Sequence, residues 1–231
     1  MSLYRFGTAL AVVAWVAGGA LAQPPGGGFG FGRGIQPLTV ATVPADALGK
    51  ELKLSEEVQK KVAAIQKGVQ DKNQAAMQEL RDSGGFSQEA IQELQKKNQE
   101  NGKKAETDIL ALLTDDQKKA LPDVLKTLQM LQTLGIPVQL NADLKLTAEQ
   151  TKMLTERAAV LQKERAAVAK QIQEAMASQD MERVRELAQG MRGTGAADAK
   201  ALAALTPEQK AMIEKYIKDH PRPQGRRGGG N

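Results

Sequence analysis

The sequence predicts an all-α protein made of two tandem, bent antiparallel helical-hairpin units with flexible Gly/Pro-rich termini. Three observations predict this fold class. Aromatic residues make up only 3% of the 231 residues, whereas Ala, Leu, Gln, Lys and Glu, which favour helices, are common. Apolar residues recur at three- and four-residue spacing, the period of an amphipathic helix. Landmarks of the first half also recur 92 residues later, which indicates a duplicated unit.

The N-terminus has the layout of a secretory signal peptide. Arg5 precedes an apolar run at 11–16, and Ala20-Leu21-Ala22 resembles a cleavage site. The run is shorter than the roughly 20 residues that a membrane span needs. We therefore expect residues 1–22 to be a removed signal peptide. The remaining chain should be periplasmic or secreted, without stable membrane insertion.

Both ends of the expected mature chain have a composition that disfavours folding. Gly and Pro dominate "QPPGGGFGFGRGIQP" after the leader, and the last residues read "QGRRGGGN". Such segments bury too little apolar surface to offset the entropy lost on ordering. We expect a flexible lead-in at 23–47 and a disordered, basic, Gly-rich tail at 219–231.

An internal repeat divides the chain between these ends. "LGKELKLSEE" at 48–57 matches "LNADLKLTAE" at 140–149, and "LALLTDDQK" at 110–118 matches "LAALTPEQK" at 202–210. We call residues 48–137 unit 1 and residues 138–218 unit 2. In unit 1, Asn101-Gly102 is a predicted weak point in the second long helix, because both residues have low helix propensity.

Charge and residue usage exclude several classes of function. The net charge is +5, but Lys plus Arg against Asp plus Glu gives 14 and 14 for 48–139 and 13 and 12 for 140–220. The helical body is therefore nearly neutral, and we expect no nucleic-acid partner.

Catalytic chemistry has no support in the sequence. There is no cysteine, and the single histidine, His220, falls near the C-terminus. The chain therefore lacks the usual ligands of a zinc site and a nucleophile paired with a base. It also lacks a phosphate-binding loop. We expect no enzyme activity, no metal and no cofactor.

Four short motifs mark predicted helix starts. In LTxxQ, Thr can accept from the backbone N–H of the third helical residue while Gln reaches back to the N–H of Thr, which is a capping box. This local role accounts for the polar residues of the motif. It does not account for the leading Leu, which we expect to pack against a neighbouring helix. The first motif has Val58 in place of Gln. The motif residues are Leu54 and Ser55; Leu113, Thr114 and Gln117; Leu146, Thr147 and Gln150; and Leu205, Thr206 and Gln209.

The motif pair in an exported, Cys-free helical chain resembles the Spy/CpxP family of periplasmic LTxxQ-motif proteins. "LKLTAEQ" at 144–150 starts a long amphipathic helix, and "LTPEQ" at 205–209 follows about 60 residues later. The resemblance implies an ATP-independent chaperone that shelters partly unfolded exported proteins on a concave helical cradle. Known members usually form that cradle as an antiparallel dimer. Two units in one chain leave a homodimer and an intramolecular pseudo-dimer both open.

Client binding would require adaptable apolar side chains interleaved with long charged ones. The residues predicted to provide this surface lie on or near the long helices: Met77, Arg81, Met153, Lys170, Met176, Met181 and Arg183. The alternative is that the Met side chains fill the core and the charges form a solvated helix face. Two other functions stay open, an envelope-stress adaptor that binds a sensor protein and a structural helical scaffold.

Overall fold

The computed structural model describes residues 37–83, 87–192 and 197–221, with only the backbone of residues 190–192. The signal peptide, residues 23–36 of the lead-in and residues 222–231 of the tail lie outside these ranges. The described ranges contain helices and no strand, so the predicted all-α class is confirmed. The α-helices are α1 Ala45–Glu51, α2 Glu56–Asp82, α3 Gln88–Leu112, α4 Asp115–Thr133, α5 Asn141–Leu144, α6 Ala148–Ala177, α7 Met181–Arg192, α8 Ala199–Ala203 and α9 Pro207–Asp219, with a 3₁₀ turn at Val138–Leu140.

Two pairs of long helices pack together, α2 against α3 and α6 against α7. In α2 the predicted apolar face is turned inward, with Val62 and Leu80 buried. The predicted weak point in α3 is wrong, because the helix runs unbroken through Gly102. Asn101 donates from Nδ2 to Oδ1 of Asn73 on α2 at 3.1 Å. This bond and the packing against α2 outweigh the low propensity of the Asn-Gly pair.

The last residues of the lead-in that was predicted to be flexible, 23–47, belong to the core of unit 1. Val40 and Val43 are buried in the unit 1 cluster, and α1 begins at Ala45. Gln66 on α2 donates from Nε2 to the carbonyls of Val40 and Val43, at 3.3 and 2.6 Å. The prediction is therefore wrong for residues 40–47. These residues carry apolar side chains, whereas the glycines precede them in the segment.

Helix α4 connects the two units. It contributes Leu121 and Leu128 to the unit 1 cluster, which includes Val62 and Ile109. Its last turns contribute Met130 and Leu131 to the unit 2 cluster. One helix therefore contributes side chains to both core clusters.

A second contact between the units is made by the short helices that precede the long ones. Helix α1 packs against α5 and the 3₁₀ turn, and Lys50 forms an ion pair with Asp143 at 2.7 Å. Each short helix is followed by a lysine in the left-handed region, Lys53 with φ of 50° and Lys145 with φ of 47°. These lysines are 92 residues apart, so the duplicated sequence repeats an unusual backbone conformation.

None of the helices in the described ranges combines the length and apolar character that crossing a bilayer requires.

Candidate functional site

Three of the four motifs form a complete capping box. The hydroxyl oxygens of Thr114, Thr147 and Thr206 accept from the backbone N–H of the motif Gln, and the Gln side chain accepts from the N–H of the Thr. At the first motif only Ser55 caps, accepting from the N–H of Val58 at 3.3 Å. The motifs therefore fix the starts of α2, α4, α6 and α9 by local hydrogen bonding.

The motif glutamines also make long-range hydrogen bonds that the sequence analysis did not assign to them. Gln209 donates from Nε2 to the carbonyl of Leu144 at 2.8 Å, and Gln117 donates to the carbonyl of Leu52 at 3.0 Å. Both acceptors lie just before the left-handed lysines. The interpretation that Gln serves capping alone is thus wrong. Its carbonyl oxygen caps its own helix, and its amide nitrogen fixes the start of another.

Unit 2 adds a pair of glutamines to this arrangement. Gln150 donates to Oε1 of Gln209 at 2.9 Å and to the carbonyl of Ala204 at 3.2 Å. Gln209 is only 7% exposed, so its amide has no access to compensating solvent. Unit 1 has Val58 at the position of Gln150 and makes only the single bond from Gln117. The two motifs of unit 2 are therefore connected by more side-chain hydrogen bonds than those of unit 1.

The leading leucines pack into the cores. Leu113 and Leu205 are buried in the clusters of unit 1 and unit 2, and Leu54 and Leu146 are half-buried against them. The motifs thus join helix starts to the cores, and none of their side chains forms an open site.

An apolar groove lies beside the unit 2 motifs, between α6 and α8. Its volume is about 270 Å³. We call it the α6/α8 groove. Met153 and Val160 are seven residues apart, roughly two helical turns, and project on one face with 49% and 45% of their surface exposed. The groove is lined by Met153, Leu154, Glu156, Arg157, Val160, Lys200, Ala201 and Ala204.

The two units differ in the residues that border this region. Ala201 and Ala204 occupy the positions that Ile109 and Leu112 occupy 92 residues earlier. Ile109 is buried and Leu112 packs against the core cluster in unit 1, and Ala201 is buried in unit 2. On α6, Met153 and Val160 occupy the positions of Lys61 and Gly68, so the pair of exposed apolar side chains belongs to unit 2.

An ion pair holds one wall of the groove. Arg157 on α6 donates from Nε and Nη2 to the two carboxylate oxygens of Asp198, at 3.0 and 2.9 Å. Asp198 also accepts from the N–H of Ala201, capping α8, and its own N–H donates to the carbonyl of Leu134 at 2.8 Å. The hydrogen bonds from Arg157 are the main cause of the lowered pKa of Asp198. Asp198 therefore ties α8 to α6 through its carboxylate and to the end of α4 through its backbone N–H.

Removing the charge of Asp198 should make the free energy of unfolding fall less steeply as the pH is lowered. Because its pKa is lower in the folded state than the roughly 3.9 of an unfolded Asp, its stabilising contribution is present above that value. The contribution is lost as pH falls through the lowered pKa. We expect Asp198→Asn to be less stable at about pH 6, and to lose less stability on acidification to about pH 3, than the unmodified protein.

Urea unfolding followed by circular dichroism at both pH values measures this difference. Asp108→Asn, an exposed position of unit 1 outside any ion pair of the described residues, is the control and should retain the original pH dependence. An unchanged pH dependence in Asp198→Asn would show that the ion pair does not contribute.

The structure places the predicted client-binding residues at three separate locations. Met77 and Arg81 lie near the C-terminal end of α2, and Met153 lines the α6/α8 groove. Met176 follows Met153 by 23 residues on α6, about 34 Å along the helix and roughly 140° around it. The residues at the α6–α7 turn are Lys170, Met176, Met181 and Arg183.

At this turn the charged side chains have ion-pair partners. Lys170 pairs with Glu174 at 3.7 Å and Arg183 with Glu186 at 2.8 Å. Met181 is the most exposed of the large apolar side chains described, at 62%. The turn therefore presents single apolar side chains among paired charges, whereas the α6/α8 groove presents two on one face.

Sequence reasoning missed most of the groove. It selected Met153 but not Val160, and it gave no role to Arg157 and Asp198. The signal that could have identified its exposed face is the replacement of Lys61 and Gly68 by Met153 and Val160 in the second copy.

The described residues contain no group of three or more acidic or histidine side chains able to hold a metal ion. No family model, no curated protein and no solved structure matches the chain. The resemblance to the Spy/CpxP family therefore stays a prediction that depends on the motif positions.

Proposed function

We propose that the protein is an exported, ATP-independent chaperone-like protein that binds aliphatic segments of partly unfolded envelope proteins. The observation that supports this most directly is the α6/α8 groove, where Met153 and Val160 stay largely exposed on one helix face. Two large apolar side chains exposed on one helix face offer a surface that an aliphatic segment can cover. The paired motifs and the predicted signal peptide agree with a Spy/CpxP-like role.

The chemistry of the groove suits weak, unselective binding. A methionine side chain adapts to partners of different shape because its thioether is flexible and polarisable. Each aliphatic side chain that a client buries contributes about 1.5–3 kcal/mol, so a few contacts give only modest affinity. Release would then need no nucleotide, consistent with the absence of a phosphate-binding loop from the sequence.

The charges around the groove limit self-association. Glu156 and Lys200 are exposed at its rim, and Arg157 is neutralised by Asp198. Interspersed charges of both signs keep the surface hydrated while the apolar side chains remain accessible. A client segment without strong net charge fits this rim.

The test is suppression of aggregation of an unrelated, thermally unfolding protein by the purified chain from Gln23, without nucleotide. We expect suppression at near-stoichiometric ratio, and loss of most of it in Met153→Lys/Val160→Lys. The control is Ala159→Lys/Ala166→Lys, which adds the same charge at the same seven-residue spacing on an exposed face of α6 away from the groove.

The outcomes separate the candidate functions. If the unmodified chain does not suppress aggregation, the chaperone proposal fails, and one stoichiometric partner in a pull-down would then favour an adaptor. If both double variants suppress aggregation equally well, the α6/α8 groove is not where the client binds.

A further inference from the structure

A polar residue interrupts the apolar stripe of α6 at its centre. The residues of this stripe recur every three or four positions and face the cores, except that Arg165 takes the middle place. They are Leu154, Ala158, Leu161, Arg165, Val168, Ile172 and Ala175. We propose that Arg165 divides the α6–α7 hairpin, so that residues 166–189 open locally while the rest of unit 2 stays folded. We call these residues the outer hairpin of unit 2.

The apolar contacts on the two sides of Arg165 belong to different cores. About one turn before it, Leu161 packs against the unit 2 cluster, whereas about one turn after it Val168 packs against a smaller, separate cluster. Among the described residues, α7 packs extensively against α6 alone. Separation of α7 from α6 therefore exposes only the smaller cluster. Its buried members are Ile172, Ala175 and Val184.

The outer hairpin has little stability of its own once its two helices part. Helix α7 has 12 residues, and an isolated helix of this length is marginal in water. The turns of α6 beyond Arg165 lose the cluster that they share with α7. Opening is therefore a local unfolding reaction, of the kind that native proteins undergo at a lower free energy than global unfolding.

The guanidinium of Arg165 favours this opening. Its Nη1 is buried and has no hydrogen-bond partner among the described residues. Withdrawing part of a charged group from water without giving it a partner is unfavourable. The closed hairpin bears this cost, and opening removes it because the guanidinium becomes hydrated again. A hydrocarbon side chain at position 165 would reverse the effect, since it would join the apolar contacts of Leu161 and Val168.

Unit 1 has a polar residue at the matching position of its own hairpin. Asn73 on α2 lies 92 residues before Arg165, and Leu80 beyond it matches Ile172. Leu80 is buried, as Ile172 is, so the apolar stripe resumes after the interruption in both units. The interruption therefore recurs at the same level of both hairpins, with a different chemical group in each.

The interruption in unit 1 is neutral and partly satisfied. Asn101 on α3 donates to Asn73 at 3.1 Å, whereas Oδ1 of Asn98, about one turn earlier on α3, is buried without a partner among the described residues. Gly102 adds no packing there, because a Cβ at this position would meet open space. A neutral amide costs less to bury than a charged guanidinium. The outer part of the unit 1 hairpin should therefore open less readily than that of unit 2.

Amide hydrogen exchange of the chain from Gln23, resolved by NMR spectroscopy, measures local opening. We expect the backbone amides of 185–188 to exchange at least about a hundredfold faster than those of 154–161, because only wider unfolding exposes the latter. The amides of 92–95 lie equally far from the start of α3 and should exchange more slowly than those of 185–188. Equal rates for 154–161 and 185–188 overturn the proposal. Faster exchange at 92–95 than at 185–188 overturns the role given to the charge.

Arg165→Met tests the charge directly. Met keeps a long side chain and a helix propensity close to that of Arg, but it can join the apolar stripe. We expect exchange at 185–188 to slow by at least about tenfold, with little change at 154–161. The control is Lys163→Met, two residues away and exposed on α6. It removes the same charge and should leave both regions unchanged.

Fraying of a helix end would also give fast exchange at 185–188, but the rate would then be the same in Arg165→Met. Unchanged exchange in that variant, or equal slowing in Lys163→Met, therefore overturns the proposal. Equal slowing of both regions also overturns it, because unit 2 would then unfold as one piece. If Arg165→Met does not fold, the rates of the unmodified chain still decide between local and global opening. Neither measurement involves a client, so a negative result leaves the chaperone proposal standing, and failed aggregation suppression leaves local opening standing.

Discussion

Leu131→Ala is expected to destabilise the whole protein by about 2–5 kcal/mol, the usual cost of emptying a buried leucine site. Leu131 is fully buried in the unit 2 cluster, yet it belongs to α4, which also contributes Leu121 and Leu128 to the core of unit 1. A cavity at this position should therefore lower the stability of both units together.

The matched variant is Leu128→Ala, one turn earlier on α4 and equally buried, but in the unit 1 cluster. If α4 couples the units, each variant should shift a single unfolding transition, seen alike by calorimetry and circular dichroism. Two transitions, of which each variant moves only one, would show that the units fold independently. Lys126→Ala, exposed on the same helix, controls for changes in helix propensity and should have little effect.

The helix starts could be predicted because capping is local. Thr114, Thr147 and Thr206 each bond within three residues of themselves, so the letters of the motif contain all the participants. The all-α class followed from composition and period for the same reason, since both are properties of short windows.

Long-range partners could not be predicted in the same way. The carbonyl that Gln209 binds belongs to Leu144, 65 residues away, and no local pattern marks a backbone oxygen as its acceptor. The burial of Val40 and Val43 was hidden for a related reason. The glycines at 26–34 dominate the composition of the lead-in, although the valines follow them.

The candidate site shows where residue-type reasoning stops. Selection by residue type chose Met153, which lines the groove, together with Met176 and Met181, which lie near the far end of α6. The groove is also lined by two alanines, Ala201 and Ala204. Small residues give no chemical signal by themselves, so residue type did not select them.

Gln209→Ala tests whether the motif holds two helix starts together or only begins a helix. Its side chain accepts from the N–H of Thr206 and donates to Leu144 and Gln150. Truncation would remove the hydrogen-bond partner of the Leu144 carbonyl and the hydrogen bonds between the two glutamine side chains, in a region that solvent hardly reaches. An unsatisfied buried group costs about 1–3 kcal/mol, so the expected loss exceeds that of a solvent-exposed cap.

Gln117→Ala is the control that the duplication offers. Gln117 makes the same capping bond and the same carbonyl bond in unit 1, but it is only half-buried and has no glutamine partner. Urea unfolding should show a smaller loss for Gln117→Ala than for Gln209→Ala. Equal losses would mean that the partner glutamine and the deeper burial add nothing.

A double-mutant cycle with Gln150→Ala isolates the contribution of the glutamine pair. Because Gln150 and Gln209 bond to each other in both directions, their effects should couple by about 0.5–3 kcal/mol. Purely additive effects would indicate that each glutamine acts only on its own helix. Coupling would instead make the pair a specific link between α6 and α9.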